Sequence, residues 1–162
     1  IFWITVFLNV PEGTVFAGVV LDGSILTMQL DIIAQLKVFL LSLPLVCTIA
    51  NIMLSNNICD LETDITNHRY TLVYYIGKKQ ALVVYQVLYA IAFGAMVLAV
   101  LLGVAPWILL GVLVAGVPVY KHIQQFKAVQ EKKTTFALAI KNMVMIHVLQ
   151  AVLLIVAVIF FN

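Results

Sequence analysis

Residues 56–77 read NNICDLETDITNHRYTLVYYIG, and three of the chain's seven acidic residues, Asp60, Glu62 and Asp64, stand there within five positions. The chain's only arginine, Arg69, follows shortly after. Apolar runs long enough to cross a bilayer close in on both sides, so this polar island between spans is the first place to look for chemistry. Its spacing carries geometry. If the start of the stretch continues the preceding helix, Asp60 and Asp64 are four residues apart and share a face, with Asn56 and Asn57 on the same stripe and Glu62 on the opposite side. Two carboxylates and a carboxamide on one side suit a hard, oxygen-seeking cation such as Mg²⁺, which takes few carboxylates and fills its shell with waters and substrate phosphates.

Outward from the island, composition fixes the class. Of 162 residues, 64% are hydrophobic and 10% charged, whereas a soluble domain is about half apolar and about a quarter charged. The chain reads as an integral membrane protein. A net charge of +2 without a basic patch interleaved with aromatics gives no footprint for nucleic acid. Cys47 and Cys59 have no second pair, so neither a zinc site nor a disulfide framework is indicated. A thiolate is a poor partner for Mg²⁺, and Cys59 is read as incidental. The chain opens on Ile inside the run IFWITVFL, without a basic n-region or signal-peptide layout. It reads as the C-terminal part of a longer membrane protein.

Hydropathy predicts one all-α domain over residues 1–162, a polytopic transmembrane helix bundle of about five spans. These are 1–21 (broken by Asn9, Pro11, Glu12 and Gly13 and taken as kinked), 30–54, 80–102, 107–126 and 136–161, with a short loop at 22–29 and a tight turn at 103–106. The motif loop, 55–79, carries Arg69, Lys78 and Lys79, and the loop at 121–135 carries four lysines, while the other two connections carry none. The positive-inside bias puts both basic loops on the cytoplasmic face of the cell membrane.

The run from Asn56-Asn57 through Asp60 and Asp64 to Arg69, Thr71-Leu72 and Gly77 resembles the second aspartate-rich motif of the UbiA family of intramembrane aromatic prenyltransferases. It is most similar to the MenA branch, the 1,4-dihydroxy-2-naphthoate polyprenyltransferases of menaquinone biosynthesis. The motif covers 56–77; elsewhere the agreement is in hydropathy and helix order. The resemblance implies nine spans in a whole protein, of which these would be the last five, and a first aspartate-rich motif upstream of Ile1, in the missing N-terminal half. Without that motif the fragment alone is expected to be inactive. Cys59 stands where the branch usually has Arg, and His68-Arg69 where it usually has Gly-Lys.

The chemistry the resemblance implies is transfer of a polyprenyl group from its diphosphate to an aromatic acceptor. Mg²⁺ held by Asp60 and Asp64 would stabilise the leaving diphosphate. Arg69 would add bidentate hydrogen bonds to phosphate oxygens, and Lys78 or Lys79 a point charge. Asn56, Asn57 and Tyr70 complete the expected substrate-binding set, with Tyr74 and Tyr75 as further candidates to shield an allylic cation through their ring faces.

Plainer readings stand beside these. The carboxylates are also what a solvated loop would show. Lys78 and Lys79 serve topology as readily as phosphate, and the tyrosines suit an interfacial belt. Lys37 and Lys141, near span ends, suit snorkelling, and His147 suits packing or a cavity wall. A transporter or channel subunit would also show several spans, but with its ionisable groups near mid-membrane. Here the acidic cluster sits at a membrane edge beside basic residues; only Glu12 with Pro11 points the other way. Another UbiA branch, with a different aromatic acceptor, would share the same loop.

Overall fold

The computed structural model describes residue 4 and residues 16–161. Two compact units divide at residues 42 and 43. In the first, strands β1 (Ala17–Asp22) and β2 (Ile25–Leu30) pair antiparallel with Asp22 opposite Ile25. The two-residue turn is Gly23-Ser24, with Gly23 at φ +60°. This corrects two expectations: residues 17–21 are strand rather than the end of a first span, and 25–29 are its partner rather than loop. The physical reason is local. Val19-Val20 and Ile25 favour extended backbone, and a glycine-led two-residue connection matches the twist of paired strands. The proposed kink at Pro11 and Glu12 lies outside the described residues. Asp31 then caps the next helix, its Oδ1 accepting from the Ala34 N–H at 2.9 Å.

Four helices among the described residues are long and apolar enough to cross a membrane. They are α1 (Ile32–Cys59), α3 (Leu72–Leu101), a 3₁₀ segment (Trp107–Ala115) running into α4 (Gly116–Ala128), and α5 (Phe136–Phe161). A six-residue helix, α2 (Leu61–Thr66), sits in the motif loop. The chain is a mostly helical, multi-pass membrane protein, as its apolar runs require.

In the second unit, residues 43–162, Leu54, Ile58, Tyr85, Leu109, Phe126 and Ile146 belong to one buried cluster. Outward faces stay apolar, with Val83, Val87, Ile91, Val148 and Ile155 exposed, as a helix in lipid requires. Because lipid is as apolar as leucine, polar ties contribute to the packing of such helices. Thr48 Oγ1 lies 2.8 Å from His147 Nε2, joining α1 to α5. Asn142 of α5 donates through Nδ2 to the Tyr89 hydroxyl of α3 at 3.1 Å, and its Oδ1 lies 2.6 Å from His122 Nδ1 of α4. His147 is therefore a packing residue. A cavity of about 260 Å³ between α3 and α4 is lined by Gln86, Tyr89, Phe93, Val119, Tyr120 and Ile123, among others.

Candidate functional site

The motif begins where α1 ends. Asp60 leaves helical geometry at φ −92°, ψ 3°, yet its N–H still reaches the Asn56 carbonyl at 2.9 Å and its own carbonyl accepts from the Asp64 N–H at 2.8 Å. The four-residue relation between the two aspartates therefore survives the break. Exposure separates the three acids: the side chains of Asp60 and Asp64 are 20% and 6% exposed, and that of Glu62 is 93% exposed.

Helix α2 closes with a turn that positions Arg69. His68 takes φ +56°, its N–H donates to the Ile65 carbonyl at 3.0 Å, and the Arg69 N–H donates to the Asp64 carbonyl at 2.8 Å. This is the paired-bond ending in which the first residue past the cap is left-handed. It folds the chain back so that Arg69 Nη1 stands 3.6 Å from Asp64 Oδ1. Where the MenA-like pattern has glycine, His68 occupies the left-handed position for which glycine is the natural choice.

Helix α3 starts at Leu72, with Thr71 in extended geometry before it. Thr71 Oγ1 is buried and has no hydrogen-bond partner among the described residues. Gly77 breaks the start of the span at φ 78°, ψ 156°, a region open essentially to glycine alone. Just past this kink Lys78 Nζ lies 3.9 Å from Glu62 Oε1.

A second loop completes the arrangement. Between α4 and α5, Lys132 Nζ donates to Asp60 Oδ2 across 72 residues of sequence. The two basic loops thus meet at one end of the unit, and each motif carboxylate has one cation: Lys132 on Asp60, Lys78 on Glu62 and Arg69 on Asp64.

The remaining expected residues are placed differently. Asn56 and Asn57 are half-buried, and their carboxamides make no hydrogen bond among the described residues. Tyr70 is half exposed and packs on Tyr74 at 4.8 Å between ring centroids, and Tyr74 meets Tyr75 edge-on at 5.2 Å. The tyrosines form a surface cluster in which Tyr70 makes no side-chain hydrogen bond to either aspartate among the described residues. The cavity between α3 and α4 contains none of Asp60, Asp64 or Arg69. Sequence spacing singled out neither Lys132 nor Thr71 as a site residue. Only the common sidedness of the two basic loops pointed toward Lys132.

Residues 4–149 match the model of the UbiA prenyltransferase family. The chain belongs to that family. Its members are membrane enzymes that move a prenyl group from a diphosphate to an aromatic acceptor, and the loop built on Asp60 and Asp64 is the most acidic part of the matched region. No curated protein and no solved structure gives a match.

Proposed function

We propose that this UbiA-family chain takes part in Mg²⁺-dependent transfer of a polyprenyl group to an aromatic acceptor, with 1,4-dihydroxy-2-naphthoate, a precursor of menaquinone, as the acceptor and the motif loop on the cytoplasmic face of the cell membrane. The observation that carries the reading is the pairing of Asp60 and Asp64 turned inward beside Arg69, with Glu62 turned out. The acceptor assignment rests on the motif itself: double Asn, Asp-x-x-x-Asp, a basic residue, Thr-Leu and Gly.

The donor set fits a magnesium–diphosphate group. Two carboxylates are what Mg²⁺ takes from a protein when phosphate oxygens and waters supply the rest. No set of three or more His, Cys, Asp or Glu side chains converges among the described residues. The amides of Asn56 and Asn57 and the orphan Thr71 hydroxyl are further oxygen donors in the same loop. When bound, Mg²⁺ supplies charge stabilisation to the departing diphosphate.

The protein's own share is positioning and charge. Asp60 and Asp64 would hold the magnesium-bound head group at the membrane edge. Arg69, 72% exposed and loosely held on Asp64, can turn its fork to phosphate oxygens. The allylic C–O bond breaks with its electron pair leaving on the diphosphate. The ring forms the new C–C bond at the carbon that carried the carboxylate, which departs as CO₂.

The test is an assay in membranes holding the full-length protein, with a polyprenyl diphosphate and 1,4-dihydroxy-2-naphthoate. The expected result is a prenylated, decarboxylated product that disappears with EDTA and returns with Mg²⁺. Transfer to a different aromatic acceptor but not to the naphthoate would overturn the acceptor assignment. Transfer untouched by EDTA would overturn the metal site.

A further inference from the structure

Lys132 reaches Asp60 from a loop that is built rather than slack. Thr135 Oγ1 donates toward the carbonyls of Val129 and Glu131, at 2.8 and 3.1 Å, and accepts from the Glu131 N–H at 3.0 Å. Thr134 Oγ1 donates to Glu131 Oε2 at 2.8 Å. These bonds fix the turn on which Lys132 stands. The next residue, Lys133, is exposed and makes no ion pair among the described residues. One of two adjacent lysines is thus delivered to the carboxylate at the motif's first position.

That contact works against a cation site in the absence of ligand. An ammonium on Asp60 repels a divalent cation at the same oxygens and occupies a lone pair that the cation would need. With Arg69 and Lys78 on the other two acids, the negative charge of all three carboxylates is matched by a cation. A diphosphate arriving with its metal inverts the preferences, since carboxylates favour the metal and ammonium favours phosphate oxygens. The lysine stem is long and flexible, so its head can change partner while the turn beneath stays fixed.

We propose that Lys132 closes the Asp60 carboxylate while no ligand is bound and passes to the phosphate oxygens of an incoming diphosphate. The proposal deepens the magnesium–diphosphate reading and rests on it. It makes Lys132 a ligand-gated guard of the site, and it predicts opposite signs for two binding constants.

The experiment uses the full-length protein in lipid nanodiscs. Mn²⁺ binding alone is followed by electron paramagnetic resonance, and pyrophosphate binding in excess Mg²⁺ by calorimetry. Lys132→Gln should tighten Mn²⁺ several-fold, because a competing charge is gone, and weaken pyrophosphate by about tenfold, the scale of one charge-assisted hydrogen bond. Lys132→Arg should keep pyrophosphate binding near wild type, and Lys133→Gln should leave both constants unchanged. Equal weakening of both ligands by Lys132→Gln would show a merely structural tie and overturn the proposal. So would unchanged constants in Lys132→Gln while Asp64→Asn abolishes binding, a result that leaves the site reading standing. Wild-type protein that binds neither probe would overturn both.

Discussion

His68 at φ +56° and Gly77 at φ +78° set the course of the chain around the two aspartates. A non-glycine residue in the left-handed region costs roughly 1–2 kcal/mol. His68→Gly should therefore raise stability by about 1 kcal/mol, read as a higher unfolding temperature in detergent; a lowered temperature would show that the imidazole holds the turn. Gly77→Ala is the mirror case. A methyl there meets nothing within 4 Å, so the whole penalty is backbone strain, about 1–3 kcal/mol, and stability should fall. An unchanged melting temperature would mean that the kink can move elsewhere. At this scale the sequence was informative but easily misread. The His68-Arg69 pair looked like a departure from the motif, yet Arg69 still arrives beside Asp64 because the turn is fixed by backbone bonds. Lys132 was not legible as a partner of Asp60, because no local spacing encodes a contact across 72 residues.

Among the elements, the four spans could be read from apolar length alone, but α1 runs five residues past its expected end and α3 starts eight residues before its expected start, so both take in residues expected in the motif loop. The hairpin could not. Its residues are as apolar as those of a span, and hydropathy does not separate a strand pair from the end of a helix; the Gly23-Ser24 turn was the usable signal. How the spans are tied was equally hidden. Asn142 is fully buried and links His122 of α4 to Tyr89 of α3. Asn142→Leu keeps the volume close but takes the partner from the half-buried His122 Nδ1 and leaves the buried Tyr89 hydroxyl with only its 3.4 Å contact to the Tyr85 hydroxyl, which should cost about 1–3 kcal/mol. Unfolding by denaturing detergent would measure it, and a variant as stable as wild type would show that these bonds are dispensable to the packing.

For the molecule as a whole, the meeting of Lys132 with Asp60 places the two basic loops at one end of the second unit, which the positive-inside pattern also demands of a membrane protein. With Cys47 and Cys59 replaced, single cysteines at positions 68 and 133 should react with an impermeant reagent from the same side, the cytoplasmic one; reaction from opposite sides would contradict the arrangement. The central claim is that Asp60 and Asp64 act and Glu62 does not, and prenyl transfer in membranes by Asp60→Asn, Asp64→Asn and Glu62→Gln variants of the full-length protein tests it most directly. Each Asn variant keeps size and a carbonyl oxygen while losing the charge. Loss of metal-assisted charge stabilisation worth several kcal/mol should lower the rate by about two orders of magnitude or more. Glu62, 93% exposed and only loosely paired with Lys78, should tolerate Gln with little change. Full activity in both Asp variants, or equal loss in Glu62→Gln, would contradict the account.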